Sequence, residues 1–518
     1  MTEKYYVTTP IYYTNGKPHI GHAYTAIACD VLARFQRAEG HSVFFLSGTD
    51  EHGLKMQQAA EKEGVTPQAL ADKNSTIFVE LLEKFNCSQN DFIRTTQPRH
   101  QKACQALWQR MSASGDIYLG RYKGWYSVRQ EAYYDESDTF IGEDGIRREK
   151  EVGSPVEWNE EESYFFRLSA YQDKLLAYYA QNPEFLGPKE RKNEIISFVK
   201  SGLKDLSISR TTFHWGVPVP NDPNHVMYVW VDALTNYLTA LGFPDLEGEK
   251  GGFWPASAHI IGKDIIRFHA IYWPAFLMSA GLALPQRVFA HGFLLSRGEK
   301  MSKSVGNIVD PFALIDEYGL DQVRYFLLRE IPFGQDGSYS HEAIINRSNA
   351  DLANDLGNLA QRSLSMIAKD RENRVPAPAA LTSDEEALLA QSIALIDEVR
   401  NMMSSQAFHS ALTAIFKMIA DVNRYFAGQA PWTLKKNDPA RFDTVLYITL
   451  EVLRRIAILL RPFIPDSADA LLTLLGVEKD ARLIKNIIDS PLQAGVLLPE
   501  PRGIFPRLNV QKDNAHAN

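Results

Sequence analysis

Near the start of the chain, apolar positions come in runs separated by short polar breaks. The run Tyr5–Tyr13 predicts a strand. The loop Asn15-Gly16-Lys17-Pro18 ends it. A helical repeat then extends from Gly21 to Arg37, with Ala28, Val31, Leu32 and Phe35 on its apolar side. Val43–Ser47 is a second strand-like run, closed by Gly48-Thr49-Asp50, and helical spacing covers Pro67–Phe85 and Pro98–Ser114. Strand, helix, strand, helix predicts a parallel sheet with crossover helices.

From residue 115 to 225 the pattern gives way to aromatics, short polar runs and turn signals such as Glu143-Asp144-Gly145. This stretch reads as an inserted module. Strand-like runs resume at Val226–Val231, His259–Ile261 and Val288–Ala290, with a helix over Asp264–Ala280. From about residue 345 the pattern is helical, interrupted by Val375-Pro376-Ala377-Pro378. Ser383-Asp384-Glu385-Glu386 reads as a capping box opening one of these helices. The fold class is therefore α/β: a Rossmann-like parallel-sheet catalytic domain with an inserted connective module, then an all-α helical bundle. The expected divisions are 1–115 and 226–292 for the two halves of the catalytic domain and 116–225 for the insert. A connecting region at 293–345, the bundle at 346–505 and a flexible tail at 506–518 complete the chain.

Composition narrows this little. The 518 residues are 45% apolar and 23% charged, with a net charge of −8, so any nucleic-acid surface is a local patch. In the helical half, basic and acidic residues nearly balance. The three cysteines, Cys29, Cys87 and Cys104, form no CxxC pair, fall in helix-like patterns and read as reduced core thiols. Val445–Pro465 is strongly apolar but carries Glu451, Arg454, Arg455 and Arg461, which predicts a buried helix rather than a membrane span. No signal peptide precedes Tyr5, so the expected location is the cytoplasm.

Ligands of open parallel sheets bind beyond the carboxyl ends of the strands. The predicted strand ends carry His19 and His22; Asp50, Glu51 and His52; Asp232; Gly262, Lys263 and Asp264; and His291. In His19-Ile20-Gly21-His22 two imidazoles lie three apart at a helix entry, where the helix N-terminus favours phosphate. Taken alone, these could equally be unrelated loop histidines or half a metal site. Lys300-Met301-Ser302-Lys303-Ser304 is a cationic, small-residue loop suited to closing on polyphosphate, or else a solvated turn.

Both segments, in this order and roughly 280 residues apart, resemble the paired signatures of class I aminoacyl-tRNA synthetases. Tyr13-Thr14-Asn15-Gly16, Gly48-Thr49-Asp50-Glu51-His52-Gly53, Val229-Trp230-Val231-Asp232-Ala233 and Ile261-Gly262-Lys263-Asp264-Ile265 narrow the resemblance to the methionyl-tRNA synthetase family. It implies a ligase that activates methionine with ATP and transfers it to tRNA(Met), in initiation and elongation. By that match His19, His22, Lys300 and Lys303 are catalytic. ATP is held by His19, Gly21, His22, Gly262, Asp264, His291, Lys300 and Lys303, with Mg²⁺ bound through the substrate. Methionine is held by Ile11, Tyr13, Asp50, Trp230, Ala233, Leu234, Tyr237, Ile265, His269 and Trp273. A soft aromatic pocket suits a thioether. Apolar pockets discriminate weakly, so rejection of homocysteine is expected to use chemical editing in the same site, as in relatives. The bundle is expected to read the anticodon through Asn354, Asn358 and Arg362, a stripe four apart, and through Trp432.

Many relatives carry a zinc knuckle in the insert. Here Ser127 and Gln130 stand where its cysteines would be, so no structural zinc is expected, and Trp125, Tyr126, Tyr133 and Tyr134 are expected to hold the module together. There is no room after the helices for the C-terminal dimerising barrel of some relatives, which predicts a monomer whose tRNA affinity falls with salt. Three rivals are a class I synthetase for another amino acid, a small-acid adenylyltransferase and a non-catalytic tRNA-binding protein. The insert of about 110 residues, the long helical half and the intact histidine and lysine motifs speak against them in turn.

Overall fold

The computed structural model describes residues 3–127, 132–150, 152–296, 299–300 and 309–509. A parallel sheet carries the first half of the chain. Its strands are β1 (Lys4–Thr8), β2 (Tyr12–Tyr13), β3 (Ser42–Asp50), β4 (Asp91–Arg94), β5 (Leu186–Gly187), β6 (Ala258–Gly262) and β7 (Val288–His291). The order is β5-β7-β6-β1-β3, with β2 and β4 also on β3, and every pairing is parallel. The run expected as one strand, Tyr5–Tyr13, is two: Pro10 cannot donate to a ladder, and β2 resumes on the far end of β3 at Tyr12↔Thr49.

Strand order reverses beside β1. The chain passes from β1 to β3 through α1 (Ile20–Glu39), while β6 flanks the other side of β1. Side chains alternate across this sheet: Val7 and Phe45 face one core, Tyr6 and Phe44 the other. The first core does not stop at the sheet. It runs through α1 and Leu327 of the connecting region into Leu412 and Leu453 of the helical half, so sheet and bundle share one apolar interior. Arg324, wholly buried, ties the junction, donating to Asp30 of α1 at 2.7 Å and to the carbonyls of Phe85, Pro462 and Phe463.

Several expectations need correction. Val226–Val231 is not a strand of the parallel sheet. The strand ends at Met227, pairs antiparallel with Ser209–Arg210 and Pro218–Val219, and is followed by α3 (Val229–Thr239). The insert, expected over 116–225, also gives β5 to the catalytic sheet. The helix expected over Asp264–Ala280 changes pitch: a 3₁₀ turn at Lys263–Ile265, a π segment at Phe268–Tyr272, then α-helix over Trp273–Ser279. The capping box begins at Thr382, one residue earlier than read, with Glu385 reaching back to the Thr382 N–H at 2.8 Å. Cys87 lies beyond the helix Pro67–Lys84 rather than in it.

The tail expected from 506 to 518 is docked as far as it is described: Leu508 and Asn349 exchange two hydrogen bonds, at 2.8 and 2.9 Å. Helix Pro439–Leu460 is buried on nearly all sides. Its charges turn inward as a triad in which Glu451 accepts from Arg454 and Arg455 at 2.7 and 2.8 Å. No helix among the described residues is long and apolar enough to cross a membrane.

The insert holds a four-stranded antiparallel sheet, a short hairpin of Thr139–Ile141 with Arg147–Glu149, and the helices Gln172–Gln181 and Lys189–Lys200. Trp125 meets Trp158 edge-on at 5.3 Å and the Arg147 guanidinium lies over the Trp125 ring. Buried Glu149 accepts the backbone N–H groups of Val152 and Ser154, both at 2.8 Å. Ser127 is buried, and Gln130 lies outside the described residues.

Candidate active site

The crevice lies at the carboxyl ends of β1, β3 and β6, beside the reversal of strand order. Its floor is the start of α1. His19 is the N-cap; its Nδ1 accepts the Gly21 N–H at 3.1 Å, and His22 Nδ1 accepts the His19 N–H at 3.0 Å. Two imidazoles thus form a capping box, a role usually taken by a hydroxyl and a carboxylate or amide. With each Nδ1 accepting, the neutral rings carry their proton on Nε2, as a donor directed away from the helix backbone. The rings lie 3.9 Å apart. His22 is further walled by Tyr12 at 5.0 Å and Phe78 at 5.3 Å. Desolvation first, and His19 second, hold its pKa well below the ordinary imidazole range. An added Cβ at Gly21 would sit 2.9 Å from His19 Cε1, so any larger residue would shift the capping ring.

The Ile20 N–H donates to the Val309 carbonyl at 3.3 Å, so the histidine pair adjoins the end of the lysine loop. Lys300 lies in a short strand, Glu299–Lys300, paired with Leu294–Ser296; Lys303 lies outside the described residues. On the β6 side, Gly262 lets the chain approach Asp264, whose Oδ1 would be 2.5 Å from an added Cβ. Asp264 is exposed. His291 is buried beneath the crevice rather than open to it. Its Nδ1–H donates to the Gly292 carbonyl at 2.9 Å, leaving Nε2 to accept the Thr25 hydroxyl at 2.7 Å. Burial keeps it neutral, against opposing effects of the Gly292 carbonyl and Asp264.

Next to this lies a packed aromatic cluster. Trp230, Ala233, Leu234 and Tyr237 share α3, a placement no strand could give them. Tyr237 and Trp273 are wholly buried, with ring centroids 6.0 Å apart. The Tyr237 hydroxyl bonds His269 Nε2 at 2.7 Å, while His269 Nδ1–H donates to the Ile265 carbonyl at 3.0 Å. Burial lowers the His269 pKa to about 4, so the ring is neutral and its Nε2 accepts the hydrogen bond of the Tyr237 hydroxyl. Ile11 and Ile265 are half-buried and Tyr13 is partly exposed at the rim. Asp50, buried, ends β3 opposite Tyr13.

Two residues of this cluster escaped the sequence reading. Phe268 stacks on Trp230 with centroids 3.3 Å apart. The π segment that carries it has no simple periodicity to betray it. His259 sits 4.1 Å from the Tyr237 ring, its Nδ1 bonded to Thr8 at 2.8 Å and its Nε2 buried without a hydrogen bond.

In the helical half the expected stripe does not run straight. Asn354 belongs to a π segment, Ser348–Gly357, whose wider turn displaces it from the α-helix Asn358–Asp370 that carries Asn358 and Arg362. Asn354 accepts from Arg507 of the docked tail at 3.1 Å. Asn358 and Arg362 are exposed. Arg362 lies 5.7 Å over the Trp432 ring, which is 45% exposed and so is a surface platform, not a core anchor.

The family model for "tRNA synthetases class I (M)" matches residues 5–143 and 148–364, and that for the anticodon binding domain of methionyl tRNA ligase matches 375–517. Methionine–tRNA ligase of Mesorhizobium japonicum is 67% identical over 516 residues, covering 99% of each chain. That of Brucella suis is 65% identical over 505 residues, covering 98% of each. Among solved structures, Mycobacterium tuberculosis methionyl-tRNA synthetase in complex with methionyl-adenylate superposes with a TM-score of 0.95 at 58% identity, covering 98% of this chain and all of that one.

Proposed function

Since the chain belongs to the methionine-type class I tRNA synthetases, we infer that methionine and ATP meet in the crevice between the histidine pair and the aromatic cluster. The activity is methionine–tRNA ligation: ATP and methionine give methionyl-adenylate, and the methionyl group passes to tRNA.

The observation that carries the reading is the imidazole capping box. It leaves two Nε2–H donors side by side at a helix N-terminus, directly beyond a strand end. In the first step a methionine carboxylate oxygen attacks the α-phosphorus of ATP. The bond from that phosphorus to the bridging oxygen breaks, and pyrophosphate leaves with its electrons. His19 and His22 donate to phosphate oxygens as charge builds on them, and the Lys300 and Lys303 ammonium groups offset charge along the polyphosphate. Gly262 and Asp264 face the ribose, while His291 acts from below by fixing Thr25 and Gly292. Mg²⁺ bound with ATP would supply charge neutralisation at the phosphate oxygens. In the second step a hydroxyl of the terminal tRNA ribose attacks the methionyl carbonyl, AMP leaves, and the hydroxyl proton passes to the released phosphate oxygen. No protein nucleophile is needed, in keeping with two buried cysteines and one half-buried.

Asp50 pairs with the substrate ammonium, and the aromatic cluster of Trp230, Phe268, Tyr237, His269 and Trp273 takes the thioether. Homocysteine, one methyl shorter, is rejected by editing in the same site. Arg362 and Trp432 stack on and hydrogen-bond an anticodon base, with Asn358 beside them. A module closed by its own tryptophans and Glu149 supports assembly without zinc. Three free thiols, two of them buried, support a cytoplasmic location.

The test is amino-acid-dependent ATP–pyrophosphate exchange with each of the twenty amino acids, followed by charging of tRNA(Met). Exchange with methionine alone, then charging, is expected. Exchange with a different amino acid overturns the pocket, and no exchange overturns the activation step.

A further inference from the structure

The two walls of the proposed methionine pocket come from distant parts of the chain. Asp50 ends β3, whereas Trp230, Ala233 and Tyr237 stand on α3. One carboxylate touches both. Asp232, in the first turn of α3 and wholly buried, accepts the His52 Nδ1–H on Oδ2 at 2.6 Å. Its Oδ1 accepts the Nε2–H of His100, from α2 (Pro98–Ala113), at 2.7 Å. The other nitrogen of His100 bonds Thr239, at the far end of α3, at 3.0 Å. His52 lies two residues past Asp50, and its ring packs against Trp215, whose indole N–H donates to the Glu51 carbonyl at 2.6 Å. The loop after β3 is thereby gripped from two sides.

Burial by itself would favour the neutral acid at Asp232, but the two imidazoles outweigh it and keep the carboxylate ionised. Its place in the first helical turn works in the same direction. The His100, Asp232 and Cys104 ligand atoms lie within 4.8 Å of one another. The 2.7 Å N···O contact is a hydrogen bond, however, which an ion would have to break, so the cluster is a clamp rather than a metal site.

We propose that Asp232 is a positioning residue for methionine: by holding His52 and His100 on its two oxygens, it locks the ammonium-binding end of β3 to the side-chain wall on α3. This rests on the placement of methionine given above. Asp232 reaches no phosphate group in that placement, so its loss falls on methionine and not on ATP.

The experiment is pyrophosphate exchange with methionine and ATP titrated separately, alongside a thermal melt, for Asp232→Ala and Asp232→Asn. Alanine removes both acceptors and is expected to raise the methionine KM about tenfold or more, with the ATP KM within about twofold. Asparagine keeps both contacts: its oxygen accepts from His100, and its amide donates to His52 once that ring moves its proton to Nε2. It is expected to stay within about threefold of the parent. A folded Asp232→Ala with unchanged methionine KM overturns the clamp, as does a parallel rise in both constants. If Asp232→Ala does not fold, His52→Ala removes only the outer partner and is read by the same criteria. Absence of methionine-dependent exchange in the parent protein overturns the placement of methionine instead, so the two failures are distinguishable.

Discussion

The imidazole of His22 accepts the backbone N–H of His19 at 3.0 Å, so one ring both caps the first helix and presents its other nitrogen to the crevice. The two duties can be separated. Glutamine at the third helical position also completes a capping box. His22→Gln is therefore expected to keep the melting temperature while exchange falls by about a hundredfold, the usual cost of one donor to developing charge. His22→Ala is expected to lose similar activity and about 1 kcal/mol of stability as well. Equal stability of the two variants in urea would sink the capping role.

Burial holds four imidazoles, His22, His259, His269 and His291, below their ordinary range. The unfolded chain therefore binds protons that the folded chain refuses, and stability is lost as pH falls. For His269 the window runs from the ordinary 6.5 down to about 4. Within it, each pH unit costs roughly 1.4 kcal/mol, about 3 kcal/mol in all. Urea midpoints measured from pH 7 to pH 4.5 are expected to fall, and His269→Gln to flatten the fall. Identical slopes in the two proteins would count against it.

Phe268 lies flat on Trp230, 3.3 Å between centroids and 12° between planes. Such pairs contribute about 0.5–1.5 kcal/mol beyond the area they bury. Phe268→Ala is expected to raise the methionine KM roughly two- to tenfold, leaving the ATP KM alone. The intrinsic tryptophan emission is expected to shift as Trp230 gains solvent. A methionine KM equal to the parent's would show that the stack does not shape the pocket.

Trp432 and Arg362 make an exposed cation–π pair on adjoining helices of the bundle. Base stacking on such a platform is worth about 1–3 kcal/mol. Trp432→Ala is expected to lower kcat/KM for tRNA roughly five- to a hundredfold and to leave exchange without tRNA intact. A loss of exchange would instead mark Trp432 as a support of the shared core.

Where local chemistry is decisive, the sequence was a sufficient guide. Alternating strands and helices imply a parallel sheet, and strand ends imply the crevice, because a period of two or 3.6 residues must bury its apolar side. His19, His22, Gly21, Asp50 and the Gly262–Asp264 turn are legible for that reason. Val226–Val231 reads as one strand because its residues are β-branched and aromatic, yet only Val226 and Met227 belong to one. Its tertiary setting instead puts Trp230 and Tyr237 on one helix.

The remainder was decided only by the tertiary structure. The π segments that carry Phe268 and Asn354 change pitch without a local signal. The burial of His291, the docking of Leu508 and the common core of sheet and bundle depend on contacts between distant residues. So does the grip of Asp232 on His52, 180 positions away in the chain. Periodicity reports which face a residue occupies but not what meets that face. For this protein the elements and motifs follow from the sequence, while the joining of pocket wall to pocket wall follows from packing.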